Sequence, residues 1–384
     1  MRMQPLTFAT LTFCLLSNVV RAQDASLHRP INPALLYWQA AAQLSPTDDK
    51  QAAELSEIAA GRLPADPAKI ERFHTGTAKE LIRKAAWSTA PCDWGLPLEE
   101  GPGTNLPHIS KLRQLVILAV AEGEVAFAAG QPDQGRDWLL ITHRMARHVG
   151  VDGSLVGVLL QYGIDDLALR AAARHCLSWD EKSREDYAER LDELPRFQFL
   201  PTVYQHDCEI YNDWIERLSR LDGPGRQQAM QAAFPRGGAN LATASSKPLN
   251  PADWDLSMWQ KELASLRTYQ SKVTAMIGRP WKECHLEMDA LEQAAEKSLF
   301  YFYPLVASIP GSLVRKKFNN ATLHTMLDLA LRCGAQINEA AAATSRDSFE
   351  EEPLHLKTAK GGAIVLAATN QHPAGENVEL RLGK

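Results

Sequence analysis

The stretch His108–Gly150, HISKLRQLVILAVAEGEVAFAAGQPDQGRDWLLITHRMARHVG, decides how the rest of the chain is read. Its first part is a strongly apolar helical run that reaches Gly130, where a residue without a side chain caps a helix cheaply. QPDQG then turns the chain, and RDWLLITHRMARHVG carries it back to Gly150. Two helices joined by so short a turn pack antiparallel, so a helical hairpin is predicted, with small residues where the two axes approach.

Working outward toward the C-terminus, Asp152-Gly153 leads into SLVGVLLQYGIDDLALRAAARHCL, a helix expected to be buried on most sides. Ser178 and Glu181 have the spacing of a capping box for the next helix, which should run to about Leu194. Further helices are expected at Val203 to Leu221, Trp254 to Ile277, Trp281 to Ser298 and Ser312 to Cys333. The segment 222–253, rich in Gly, Pro and Ser, reads as a linker or long loop.

Toward the N-terminus, Asn32-Pro33 is an N-cap followed by proline at the first helical position, and Leu35, Trp38, Ala41 and Ala42 suggest the apolar face. A second helix should span about Thr47 to Ala60 before Gly61, and a third Asp66-Pro67 to about Trp87. STAPCDWGLPLEEGPGTNLP, Ser88 to Pro107, is a long Pro- and Gly-dense loop expected to be held by its own Trp94 and Leu96.

The period changes near the end. Leu354 and Leu356 alternate with polar residues, Lys360-Gly361-Gly362 supplies a turn, Ile364 to Ala368 is a second strand, and Val378, Leu380 and Leu382 alternate again. The expected fold is mainly α, an irregular multi-helix array of antiparallel helical hairpins with a small C-terminal antiparallel β-meander. Its expected parts are a signal peptide at 1–22, a helical domain at 23–221, the linker at 222–253, and helices plus meander at 254–384, the meander occupying 354–382.

Arg2 before the apolar run Leu6 to Val20, and Val20-Arg21-Ala22 after it, predict export with cleavage after Ala22, to a periplasmic or extracellular location. The run is shorter than the ~20 residues that span a bilayer, so no transmembrane anchor is expected after cleavage. Loss of Arg2 and Arg21 lowers the basic count from 41 to 39 against 46 acidic residues, a net charge of −7 in place of −5. Such a balance speaks against nucleic acid as a partner. Cys92, Cys176, Cys208, Cys284 and Cys333 are far apart, lack any C-x-x-C and are odd in number, which excludes a zinc signature and a disulfide scaffold while leaving one or two bridges open.

Two resemblances are carried by particular stretches. AEGEVAFAAGQPDQGRDWLL resembles one tetratricopeptide-like helix pair, although no second copy follows at a fixed period. NPALLYWQAAAQL, CDWGLPLEEGPGTNLPHISKLRQL and the hairpin together resemble a group of uncharacterised exported bacterial helical proteins. The last part, from about Leu323 through LDLALRC to the meander, is similar to the C-terminal half of type II secretion pseudopilins. There a helix is followed by Asp-Pro-Phe or Asp-Pro-Trp and a strand pair, and here Asp347-Ser348-Phe349 stands at that place. TNQHPAGENVEL does not reproduce the calcium loop of that family, nor does the chain carry the pilin start. The resemblance implies a shared folding unit rather than pilus assembly.

Chemistry-bearing residues form local clusters. His206, Asp207, Cys208 and Glu209 in YQHDCEIYND are candidates for a metal site or a Cys/His pair, but neighbours on a helix diverge, so at most two could meet one ion. His285 and Asp289 share a helical face and form a candidate metal pair that would need ligands from elsewhere. His143 and His148 are five apart, off the spacing of helical metal pairs, and read as surface or hairpin-packing residues. Asp165 and Asp166 interrupt an apolar helix one turn after Gln161. A buried carboxylate there needs a partner such as Arg170 or Arg144, or carries a raised pKa suited to catalysis; the structural expectation is one paired and one solvated aspartate.

G-x-S-x-G, S-x-x-K, H-E-x-x-H, a P-loop and G-x-G-x-x-G are all missing from the sequence, so no cofactor is expected and serine hydrolase, zincin, nucleotide-binding and dehydrogenase readings weaken. Nine tryptophans, among them Trp38, Trp87, Trp138, Trp214, Trp254 and Trp259 in predicted helices, read as core anchors. The functional expectation is a non-catalytic helical scaffold or protein-binding protein with a protein partner in the envelope. Its alternatives are an envelope hydrolase assembled from scattered carboxylates and histidines, and a pseudopilin-related secretion accessory component.

Overall fold

A computed structural model describes residues 30–46, 48–74, 77–233, 254–296, 303–349, 351–359, 363–368 and 378–383. Among the described residues the fold is mostly helical, 71% with fourteen α-helices, and ends in a three-stranded antiparallel sheet. In order the helices are α1 (Pro33–Ala42), α2 (Asp49–Ala59), α3 (Pro67–Glu71), α4 (Ala78–Ala86), α5 (Pro107–Ala128), α6 (Pro132–Gly150) and α7 (Leu155–Cys176). They continue as α8 (Glu181–Asp192), α9 (Leu200–Arg220), α10 (Gly223–Ala233), α11 (Leu256–Ile277), α12 (Trp281–Glu296), α13 (Tyr303–Cys333) and α14 (Glu339–Thr344). Strands β1 (His355–Thr358), β2 (Ile364–Ala367) and β3 (Glu379–Leu382) follow. None of the described helices is long and apolar enough to cross a membrane. The expected signal peptide lies outside the described residues.

The α5–α6 hairpin forms as its sequence predicts, and α7 packs on both helices. Gly130 takes φ +71° at the end of the first helix. A side chain at Gly135 would be driven into the ring of Phe127, so the close approach of the two axes depends on that glycine. Leu115, Leu118, Val120, Leu140, Ile141, Met145, Val149 and Val158 are all fully buried between these helices. At roughly 1.5–3 kcal/mol per buried aliphatic side chain, this layer outweighs any local propensity and sets the positions of the others.

Caps explain most helix starts. The Asn32 side chain accepts from the Ala34 amide with Pro33 at the first position, and Asp48 makes a reciprocal capping box with Gln51. The expected box at Ser178 does not form; Asp180 accepts from Ser183 N at 2.7 Å, while Ser178 turns back to His175 O. On α1 the buried face is Ala34, Leu36, Tyr37, Ala40 and Ala41, leaving Leu35 55% exposed and Trp38 half-buried, a rotation from the expected face. Among the predicted tryptophan anchors Trp138, Trp214, Trp254 and Trp259 are buried, whereas Trp87 is 41% exposed beneath the guanidiniums of Arg144 and Arg190.

The single helix expected from Asp66 to Trp87 is two helices. Phe73 is buried and its carbonyl accepts from Ser45 N at 3.0 Å, with His74 bridging Leu44, so this segment is drawn out of helix to close the end of α1. In the opposite sense, α13 begins well before the expected start at Ser312 and runs through Pro310-Gly311. Glu292 of α12 accepts from the Gly311 amide at 2.8 Å, so a neighbouring helix satisfies the donor at the position where proline disrupts the ladder. The long loop Ser88 to Leu106 is held down by Trp94, which donates to His148 O at 2.9 Å and stacks on Tyr37 and His108.

The expected linker begins with a helix. α10 places Ala229, Met230 and Ala233 against a small apolar cluster of Tyr211, Trp214, Leu218, Trp254 and Trp259, and Arg226 donates to Trp254 O at 2.7 Å. The remainder, 234–253, lies outside the described residues. The larger buried cluster has members on both sides of this segment, running from Leu36 and Tyr37 through the hairpin to Leu366, Leu380 and Leu382. The meander is part of that core. Leu356, Leu366 and Leu380 are in register across the strands, and Gly383 N donates to Ala173 O on α7 at 3.1 Å. Arg346–Pro353 bridging and the buried Phe349 turn the chain into the sheet, with Glu351 and Glu352 in solvent. All five cysteines among the described residues are free thiols.

Candidate functional site

Asp165 lies on the face of α7 that meets α6 and α13, and its side chain has no exposed surface. Two residues one turn apart on α6 reach it: His143 Nδ1 at 2.7 Å and Arg147 Nη1 at 2.6 Å, both on Oδ1. Two residues one turn apart on α13 reach the other oxygen: Asn320 Nδ2 at 2.9 Å and His324 Nε2 at 2.7 Å. Asn320 also donates to Asp166 Oδ1 at 2.7 Å. The four lone-pair positions of an ionised carboxylate are thereby filled.

The outer contacts fix the roles of the ring nitrogens. His143 Nδ1 must donate to the carboxylate, so in the neutral ring Nε2, 3.1 Å from the Tyr187 hydroxyl, accepts from it. Arg147 donates from Nε to Pro195 O at 3.0 Å and lies 3.6 Å from the centre of the Phe197 ring. α6, α7, α8, α13 and the turn after α8 all meet at this one acid.

Burial opposes ionisation of Asp165, but His143 and Arg147 beside it and the hydrogen bonds from His143 and His324 outweigh that opposition and hold its pKa well below the usual range. Burial also depresses His143, more than the neighbouring carboxylate raises it. Arg147 is the permanent cation beside Asp165, 2.6 Å from its Oδ1. Asp166 is raised above its ordinary value, chiefly by burial, against the Asn320 hydrogen bond. His324 is the one imidazole here with access to solvent, its side chain 30% exposed, and its Nδ1 makes no hydrogen bond among the described residues. A saturated Asp165 has no free lone pair with which to take up a proton, so acid–base chemistry at this centre would have to run through His324 Nδ1.

The structure thus brings Asp165 and Asp166 together with partners other than those expected. Arg170 donates to Glu379 O at 2.8 Å, and Arg144 donates to Ala86 O at 3.2 Å and stacks on Trp87. Asp166 is half-buried and bonded to Asn320, and of the two readings of His143 the surface one fails, because the ring is buried in the centre. Sequence reasoning passed over Arg147, Tyr187, Asn320 and His324. The available signal was the pairing of polar residues four apart, His143 with Arg147 and Asn320 with His324, on helices whose other inward positions are mostly apolar.

His206 and Glu209 do not converge. His206 lies beside Gly153, and Glu209 accepts from Gln205 at 3.1 Å in solvent. Between them Asp207 faces Leu155 N at 3.4 Å, and burial pushes its pKa up to about 6. On α12, His285 stacks on Trp281 with Nδ1 3.1 Å from the Trp281 carbonyl, whereas Asp289 pairs with Arg315 at 3.6 Å. Among the described residues no three His, Cys, Asp or Glu side chains are placed to hold a metal ion.

A cleft of about 500 Å³ lies between α2 and α5. Ala52, Ala53, Leu55 and Ser56 form its α2 wall, Ile109, Arg113, Gln114 and Ile117 line it from α5, and Leu44, Ser45 and Phe73 close one end. That closed end exists because the bridge between Leu44 and His74 draws the two segments together. Arg113 is the single ionisable residue of the lining and makes no ion pair or hydrogen bond among the described residues. The volume falls in the range of sites that bury a small ligand or a few side chains.

No protein-family profile, no curated protein and no solved structure matches this chain.

Proposed function

We propose that this chain is an exported, non-catalytic helical protein that binds or scaffolds a protein partner at the cell envelope. The observation that carries the reading is the α2–α5 cleft, an apolar trough with small residues on its rim and no converging ionisable groups in its lining. Such a surface supplies contact area and shape, the ingredients of recognition, and lacks the paired titratable groups that bond-breaking requires. Saturation of Asp165 supports the same reading, because its hydrogen-bonding capacity is used inside the fold. The leader-like residues 1–22 support the location, and the meander, its apolar side turned to α7 and α13, supports a capping role for the C-terminal unit.

The alternative of an envelope hydrolase draws on one specific feature, the outward Nδ1 of His324 backed by buried Asp165 at 2.7 Å. The two readings separate in one experiment. A photo-reactive residue at Gln114 is expected to give a defined cross-linked envelope protein in the native host, lost on Ala53→Trp, which fills the cleft, and kept on His324→Ala. Loss on His324→Ala with retention on Ala53→Trp would instead support chemistry at His324.

A further inference from the structure

The partner can be specified further from the shape and charge of the cleft. We propose that it presents a short amphipathic helix, seated between α2 and α5 with three apolar side chains inward and a carboxylate against Arg113; this rests on the binding reading above.

Three observations carry the inference. The walls are two helices whose facing positions are small on one side, Ala52 and Ala53 being exposed, so a third helix axis can come within the 8–10 Å of ordinary helix packing. α2 has 11 residues. At 1.5 Å per residue it offers a wall of about 16 Å, the length of three turns, and three turns place apolar anchors at i, i+3 or i+4, and i+7. The floor of Leu55, Ile117 and Phe73 and the volume of about 500 Å³ accommodate a few such side chains.

Charge selects the remaining contact. Two of the α2 carboxylates are paired, Glu54 with Lys69 and Arg72 and Glu57 with Arg62 at 2.6 Å, and the third, Asp49, lies exposed in the first turn and is not part of the cleft lining. Arg113 on the opposite wall has no such partner among the described residues and is the one charged side chain of the lining. A planar guanidinium takes a carboxylate in two parallel hydrogen bonds, which favours an acidic over a basic occupant and fixes which way the helix lies.

The test uses the full chain and two designed 14-residue helical peptides, identical in their three leucine anchors and differing by Glu or Lys at the position facing Arg113. Fluorescence anisotropy should show the Glu peptide binding at least fivefold more tightly than the Lys peptide, with the gap narrowing as salt is raised. Arg113→Glu should reverse the order, and Ala53→Trp should abolish both, with helicity and Tm unchanged in each variant. Equal binding of both peptides, abolished by Ala53→Trp, would remove the acidic contact and leave the binding reading standing. If neither peptide binds, the helical occupant is overturned, and saturable binding of dodecanoate sensitive to Ala53→Trp would assign the cleft to an acyl chain. Peptide binding that survives Ala53→Trp would overturn the cleft as the site.

Discussion

The polar centre at Asp165 and the α2–α5 cleft are built from the same material, helix faces meeting helix faces, and differ in what is left over. At Asp165 every carboxylate lone pair is taken, and the donors come from α6 and α13 as i, i+4 pairs. In the cleft the only ionisable side chain of the lining, Arg113, has no ion pair among the described residues, and the apolar walls are not closed over. Satisfied polar groups hold elements in register, whereas unsatisfied ones are available to something outside the fold.

The largest break in this comparison should come from Asp165→Ala. It leaves the Arg147 guanidinium, 8% exposed, without its counter-charge. A loss of about 3–5 kcal/mol is expected in urea denaturation at pH 7. An Asp165→Ala variant as stable as the parent would show that the centre holds nothing together. Asn320→Ala removes a donor shared by Asp165 and Asp166 and should cost about 1–3 kcal/mol by the same measurement.

Acid sharpens the contrast without mutation. Below about pH 6.5 the unfolded chain takes up a proton at His143 that the folded chain resists, and below the usual Asp range the same holds for Asp165. The unfolded state then binds more protons, so both groups make stability fall as pH falls through those windows. Asp207 acts in the opposite direction, because its folded pKa of about 6 lies above its ordinary 3.8 and the folded chain takes its proton first. Asp207→Asn should therefore be more stable than the parent above pH 6, with the advantage gone below about pH 4, in melts recorded across that range. The cleft lining carries no group that titrates there, so Glu-peptide affinity should change only as the peptide's own carboxylate protonates.

The smallest stability effect belongs to Arg113→Ala. An exposed, unpaired side chain should change stability by no more than about 0.5 kcal/mol while removing the preference for the acidic peptide. A large destabilisation would mean that Arg113 serves the fold and would erase the distinction between the two regions.

Local pattern made much of the architecture legible. The hairpin announced itself through an apolar run, Gly130 and QPDQG, and the meander through alternation at Leu354 to Leu356 and Val378 to Leu382. What could not be read depended on distant neighbours. Pro310-Gly311 reads as a helix stop, and only Glu292 on another helix explains why the helix continues. Asp165 stands out as an acid on an apolar helix, but neither Arg170 nor Arg144, the partners its sequence suggests, is the one it has. Arg170 is five residues on, about 140° around the helix, and so points toward β3. His143 was weighed against His148, five residues away, when the informative pairing was with Arg147, four away. The cleft had no signal in sequence at all, since Ala52, Ala53 and Arg113 look like any solvent-facing residues.

Two of the four donors to Asp165 lie 155 and 159 residues further along the chain. A polypeptide growing from its N-terminus therefore holds this acid for the next 155 residues of synthesis with only His143 and Arg147 to satisfy it. Closure over so long a loop comes late and costs chain entropy that short-range contacts do not. A chain interrupted before Asn320 lacks both donors to Asp165 Oδ2, and the buried carboxylate is then left half-satisfied.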